Sequence, residues 1–215
     1  MDRIYTCANS CADFIAGSSR RKGRRLSAFL VGERAVVEAV ESVADRVPMT
    51  SAENGSELIV PEGHPDFVVI GSCLSEQTRE IEVALEFVRR GSKLLHTCPD
   101  LYEMDSSGYM RLGGPIPTVD LICKRTGSFS YNVGKPNTMM ARHALSKLGD
   151  DAAVRPIMVG DSMGTDIRMS VEFGMDCVLV LSGCTAAHTL SRHPLEPTFL
   201  YATVADLVKD LDKYV

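Results

Sequence analysis

The stretch Val159-Gly160-Asp161-Ser162-Met163-Gly164-Thr165-Asp166 opens as an apolar strand, breaks at a Gly-Asp turn and runs on into residues with helical spacing. In open α/β sheets, ligands bind beside such turns, at the carboxyl ends of the strands. Asp161 stands in the turn and offers a carboxylate to a hard cation such as Mg²⁺, with waters and phosphate oxygens completing the octahedron. Asp166 follows at the helix entry, placed to orient a water on that cation. The same residues also have a structural reading, in which Thr165 caps the helix, Asp166 sits against its N-terminal dipole and Asp161 braces the turn.

Upstream, Val133-Gly134-Lys135-Pro136-Asn137 is a second strand-to-helix turn, with Pro136 near the helix start, where its missing N–H is tolerated. It directs the Lys135 ammonium toward the same crevice. This is not a phosphate-cradling P-loop, because Pro136 replaces the expected Ser or Thr. Each turn alone is a weak signal. A lysine and two aspartates at adjacent strand ends, one βα unit apart, make a site for a metal and a phosphate.

Outward from these turns, apolar runs alternate with stretches of three- and four-residue spacing, the pattern of an α/β protein with a mainly parallel sheet. Strands are expected at Ser27–Val31, Phe67–Ile70, Lys93–His96, Pro156–Val159, Val178–Leu181 and Phe199–Tyr201. Helices are expected at Glu33–Val43, Glu76–Arg90, Asn137–Leu148, Thr165–Phe173 and Val204–Lys213. Asp105-Ser106-Ser107-Gly108 and Gly113-Gly114-Pro115 have turn chemistry and are expected to shape a binding surface. A boundary is suggested near Ser128–Val133. Arg20-Arg21-Lys22-Gly23-Arg24-Arg25 reads as a solvated turn between a helix and a strand.

The 215 residues, 45% hydrophobic and 24% charged, carry 23 Lys+Arg against 28 Asp+Glu, a net charge of −5. Such a chain buries a sizeable core and has no global basic field for nucleic acid or an anionic membrane, so neither is expected as a partner. Its seven cysteines are scattered without CxxC spacing, and no apolar run approaches the ~20 residues of a membrane span. The expectation is a cytoplasmic protein with reduced thiols. A nucleotide-binding Rossmann reading lacks a GxGxxG turn.

The sequence resembles the haloacid dehalogenase-like phosphatases. Lys135 in GKPN matches that family's third motif, and Asp161 and Asp166 in GDSMGTDI match its fourth. The resemblance is closest to the branch with 4-nitrophenylphosphatase, phosphoglycolate phosphatase and pyridoxal phosphatase, through HPDFVVIG (His64–Gly71), HTCPD (His96–Asp100) and VLVLSGCT (Val178–Thr185). It implies a Rossmann-like parallel-sheet core joined to a large α/β cap, with residues 1–130 as cap and 131–215 as the C-terminal half of the core. It also implies Mg²⁺ at Asp161 and Asp166, catalytic roles for Lys135 and Asp166, and contact with a small phosphorylated metabolite by Lys135 and by Thr97, Cys98 and Asp100. Cys98 stands where the branch commonly has Asn.

Family members attack the phosphate with the first Asp of a DxD segment after the first core strand, forming an aspartyl-phosphate. The only DxD here is Asp210-Leu211-Asp212, in a polar C-terminal stretch. The resemblance therefore implies a core whose first strands are absent, a chain beginning just inside the cap, and negligible turnover by the chain as written. An open sheet then favours pairing with another chain, as a homo- or hetero-oligomer. The alternative is a non-catalytic paralogue that binds a partner chain.

Overall fold

Phe67–Ile70 and most of Ser27–Val31 and Lys93–His96 are apolar without polar alternation, as in strands covered by helices on both faces. The computed structural model describes residues 4–51, 58–72, 77–101, 103–104, 107, 109–111, 114–149 and 155–211. It divides into two compact units, one ending at Gly134 and the other beginning at Lys135. In chain order the first unit carries α1 (Cys7–Lys22), β1 (Ser27–Val31), α2 (Arg34–Glu41), β2 (Asp45–Arg46), β3 (Thr50–Ser51), β4 (Leu58–Ile59), β5 (Phe67–Ile70), α3 (Thr78–Arg89), β6 (Lys93–His96), β7 (Glu103–Met104), β8 (Met110–Arg111), α4 (Ile116–Thr126) and β9 (Ser130–Asn132).

Five of these strands form a wholly parallel sheet in the order β2-β1-β5-β6-β9. The order reverses between β1 and β5, the switch point of a doubly wound sheet. Phe29, Val31, Val68, Ile70 and Leu94 point to one face and pack on Val83, Ala84, Phe87 and Val88 of α3 and on Val119 and Ile122 of α4. Full burial of side chains of this size contributes roughly 1.5–3 kcal/mol each. On the opposite face Phe14 of α1 meets Phe67 edge-on at 6.0 Å and stacks on Tyr131 at 5.2 Å.

The basic cluster at the end of α1 is more than a solvated turn. Arg20, Arg21 and Lys22 occupy the last helical turn, where positive charge suits the dipole. Arg24 Nη1 donates to Asp66 Oδ2 at 2.8 Å, Lys22 Nζ to Asp66 Oδ1 at 3.3 Å and Arg25 Nε to Asp45 Oδ1 at 2.8 Å. The Arg24 guanidinium holds the Asp66 carboxyl far below the usual carboxylate range, and Asp66 also accepts from the Ser27 amide at the start of β1.

The second unit carries α5 (Thr138–Ser146), β10 (Ile157–Gly160), a π-helical turn (Met163–Ile167), α6 (Arg168–Phe173), β11 (Asp176–Val180), a 3₁₀ turn (Ala187–Arg192), β12 (Phe199–Tyr201) and α7 (Val204–Leu211). β10, β11 and β12 form a parallel sheet with β11 central. Met163, Ile167, Cys177 and Leu179 are its core. Among the described residues β10 is an edge strand, and its Ile157 and Val159 remain 51% and 41% exposed.

The structure differs from the sequence reading at several points. α4 was not anticipated, since Pro117 masks it, and β9 was implied by the strand-to-helix turn at Val133–Asn137 without bounds, since Ser130-Tyr131-Asn132 is polar. β9 pairs with β6, which carries the first unit on to Gly134. Thr165 lies inside the π-helical turn instead of capping a helix, and Pro136 precedes Asn137, the actual cap of α5, whose side chain accepts from the Met139 amide at 2.9 Å. Of the expected turn, Asp105, Ser106, Gly108 and Gly113 lie outside the described residues, and β7 and β8 on either side of Asp105–Gly108 pair antiparallel. No helix among the described residues is long and apolar enough to cross a membrane.

His96 ends β6 almost wholly buried, and its Nδ1 has no hydrogen-bond partner among the described residues. Burial pushes its pKa down to about 4, against a smaller opposing pull from Asp120. Below pH 6.5 the unfolded chain takes up a proton at this ring, which the folded chain refuses until about pH 4, so stability falls as pH falls through that window. The full effect is about 3 kcal/mol. His96→Leu is expected to flatten this part of the acid limb, read from urea midpoints at pH 7 and pH 4.5. Parallel limbs in the two proteins would refute the assignment.

Candidate functional site

The second unit gathers Lys135, Asp161 and Asp166. Lys135 follows β9 in the chain and precedes α5, Asp161 stands at the carboxyl end of β10, and Asp166 lies in the π-helical turn that follows. Lys135 Nζ donates to Asp166 Oδ1 at 2.7 Å. Asp166 Oδ2 accepts from the backbone N–H of Asp161 and of Ser162, both at 3.2 Å. The Asp166 side chain is 3% exposed and that of Lys135 is 41% exposed, so the carboxylate is the buried partner and the ammonium reaches solvent. A Cβ on Gly160 would run into the Asp166 side chain, which explains the glycine at the strand end.

Asp161 is held from the loop that follows β11. The Cys184 amide donates to Asp161 Oδ2 at 2.8 Å and the Cys184 thiol to the same oxygen at 3.0 Å. The Thr185 amide donates to the Asp161 carbonyl at 3.1 Å, and Thr185 Oγ1 accepts from the Met163 amide at 3.2 Å. A Cβ on Gly183 would collide with the Asp161 carboxylate, so the loop lies directly on it. The Cys184 thiol lowers the Asp161 pKa, helped by the Cys184 amide and the Lys135 charge and opposed by partial burial. Burial and the facing carboxylate push the Cys184 thiol up to about 11, which leaves it protonated and donating at neutral pH.

The sequence reading quoted Val178–Thr185 without giving Gly183, Cys184 or Thr185 a role. The available signal was position: β10 and β11 are parallel neighbours, so the loops after them end beside one another.

The other three residues singled out, Thr97, Cys98 and Asp100, belong to the first unit, in the loop after β6. Thr97 is 1% exposed and its carbonyl packs on Gly134. Cys98 is partly buried, and burial pushes its thiol up to about 12. Asp100 is exposed.

Asp161 and Asp166 are the hard oxygen donors here, and among the described residues no cluster of three His, Cys, Asp or Glu side chains is arranged to hold a metal. Two carboxylates suit a cation that keeps most of its waters and takes phosphate oxygens, as Mg²⁺ does, better than one enclosed by protein. Asp166 already receives three donors, whereas Asp161 Oδ1 accepts from no neighbouring residue among those described. Asp161 therefore has the oxygen best placed to meet a cation directly.

Asp166→Ala strips the acceptor from two turn amides and is expected to destabilise the second unit by about 3 kcal/mol. Asp161→Ala, with its partner groups near solvent, is expected to change stability by under about 1 kcal/mol. Guanidinium unfolding of the two variants checks the order, and equal losses would show that Asp166 is not the organising group.

Residues 132–207 match the family described as HAD-hydrolase-like. The dihydroxyacetone phosphatase of Corynebacterium glutamicum (strain R) is 31% identical over 206 residues, covering 96% of this chain and 68% of that protein. The ribonucleotide monophosphatase NagD of Escherichia coli (strain K12) is 27% identical over 208 residues, covering 95% of this chain and 72% of that protein. Among solved structures, a single-mutant thermostable NPPase from Geobacillus stearothermophilus aligns with a TM-score of 0.76 at 25% identity, covering 95% of this chain and 73% of the other. On this likeness in sequence and fold, the chain belongs to the haloacid dehalogenase-like phosphatases, in the branch of NagD and the 4-nitrophenylphosphatases.

Proposed function

We propose that this chain carries the metal- and phosphate-binding end of an Mg²⁺-dependent phosphatase acting on small phosphate monoesters. The observation that carries the reading is the Lys135–Asp166 pair at 2.7 Å, set beside Asp161, whose carboxylate is held through Oδ2 alone among the described residues. Asp161 would hold the cation through Oδ1, and Asp166, its oxygens already accepting N–H groups, would reach it through water. Mg²⁺ bound there supplies charge neutralisation for the phosphoryl oxygens. Lys135 adds a fixed positive charge against the same oxygens, held in place by Asp166. In this reading residues 131–215 are the core part and residues 1–130 the cap. Cys98 and Asp100 contact the substrate, and buried Thr97 anchors their loop.

The carboxylate that receives the phosphoryl group in this family is the first Asp of a DxD after an apolar strand. The one DxD in these 215 residues is Asp210-Leu211-Asp212, where Asp210 lies on α7 and accepts from Tyr201 Oη at 2.8 Å, and Asp212 lies outside the described residues. The 215-residue chain alone is therefore proposed not to turn over, and reaction through an aspartyl-phosphate needs a carboxylate supplied from elsewhere. Fused behind a DxD-bearing strand–helix–strand segment, it is expected to release phosphate in Mg²⁺ from dihydroxyacetone phosphate, a ribonucleoside monophosphate or a sugar phosphate. Asp161→Ala or Lys135→Ala should lower that rate by about 100-fold or more. Phosphate release by the unfused chain would overturn the first expectation, and silence of the fusion on the whole panel would overturn the second.

A second reading, a non-catalytic relative that pairs with another chain, is favoured by the β10 edge, where Ile157 and Val159 stay half exposed on a strand paired on one side only among the described residues. Such an edge is a template for strand addition by a second copy or a full-length family member, giving a homo- or hetero-oligomer. Val159→Lys is expected to abolish that association in analytical ultracentrifugation. A monodisperse wild-type monomer that ignores a full-length relative would remove this reading.

A further inference from the structure

The position after Gly183 is not required to be cysteine by the fold. Cys184 is exposed and stands outside the core of Met163, Ile167, Cys177 and Leu179, so that core does not demand a cysteine there. What it does make is a thiol hydrogen bond, at 3.0 Å, to the same Asp161 oxygen that its own amide reaches at 2.8 Å. Two donors from one residue converge on Oδ2, one fixed by the backbone and one by the side chain. Gly183 lets the loop come this close, and the Thr185 amide ties the loop to the Asp161 carbonyl. The Asp161 carboxylate is thereby prevented from rotating about its last bond, because rotation would break both contacts at once.

We propose that Cys184 is a positioning residue for Asp161, its thiol fixing Oδ2 so that Oδ1 is presented to the divalent cation. This rests on the reading of Asp161 as the cation-holding carboxylate. Groups that orient a metal ligand in this way typically contribute ten- to a hundredfold to affinity. A serine in place of Cys184 keeps a donor at nearly the same point, whereas alanine keeps only the amide.

The test uses the 215-residue chain and Mn²⁺ as a spectroscopic stand-in for Mg²⁺, with free Mn²⁺ read by electron paramagnetic resonance. Cys184→Ala is expected to weaken Mn²⁺ about tenfold, Cys184→Ser to recover to within about threefold of wild type, and Asp161→Asn to lose binding. Thermal midpoints of the Cys184 variants should match wild type. Independently of any metal, the Raman S–H band assigned to Cys184 by difference against Cys184→Ala should lie at hydrogen-bonded frequency and move toward the free-thiol position in Asp161→Asn. If Cys184→Ala binds Mn²⁺ like wild type while Asp161→Asn does not, or the S–H band is that of a free thiol, the positioning role is overturned and the cation reading of Asp161 stands. If wild type binds no Mn²⁺, the cation reading fails and this proposal fails with it.

Discussion

Three donors meet on the Asp166 carboxylate: the Lys135 ammonium on one oxygen and the amides of Asp161 and Ser162 on the other. A buried carboxylate is tolerated only when its oxygens are satisfied, and here the satisfaction organises everything nearby. The two amides bind the turn after β10 to the residue five positions on, which fixes where Asp161 stands. The ammonium draws the segment after β9 to the same point. Gly160 leaves room for the carboxylate, and the turn closes as a π-helical turn, a rare geometry found mostly at functional sites.

Asp161 then differs from Asp166 in burial and in the oxygen left over. Asp166 is enclosed with its oxygens occupied, while Asp161 is only partly buried and is gripped on one oxygen by the loop after β11. Two aspartates five residues apart thus divide into an internal brace and a carboxylate with an oxygen to spare. The division comes from hydrogen bonding, because the side chains are chemically identical. The family membership agrees with this arrangement.

Much of this was legible in the residues. Ser27–Val31, Phe67–Ile70 and Lys93–His96 formed strands at the expected bounds, because short continuous apolar runs have few other places to go in a parallel sheet. Asp161 stands at a strand end as expected, whereas Asp166 lies in the π-helical turn and Lys135 follows β9, a strand of the other sheet and not a neighbour of β10. β9 was implied only by the turn that follows it, since Ser130-Tyr131-Asn132 carries almost no apolar signal and owes its strand geometry to β6 beside it. The helix expected over Thr165–Phe173 was right in place and incomplete in kind, because periodicity does not distinguish a π-helical turn from an α-helical one. Cys184 escaped notice for another reason: its meaning comes from a contact across 23 positions of chain, which neither spacing nor composition records.

α7 shows what happens where such long-range contacts are sparse among the described residues. Its apolar stripe includes Val204, Val208 and Leu211, each about half exposed, and none of its residues is buried. A helix of eight residues has little intrinsic stability and depends on packing that this one largely lacks. Its amides accordingly belong to the part of the molecule that opens locally, at low free energy, long before β11 lets go of its neighbours. In hydrogen exchange, the last two helical turns would trade their protons early, while Val178 and Leu179 would keep theirs until the whole unit unfolds.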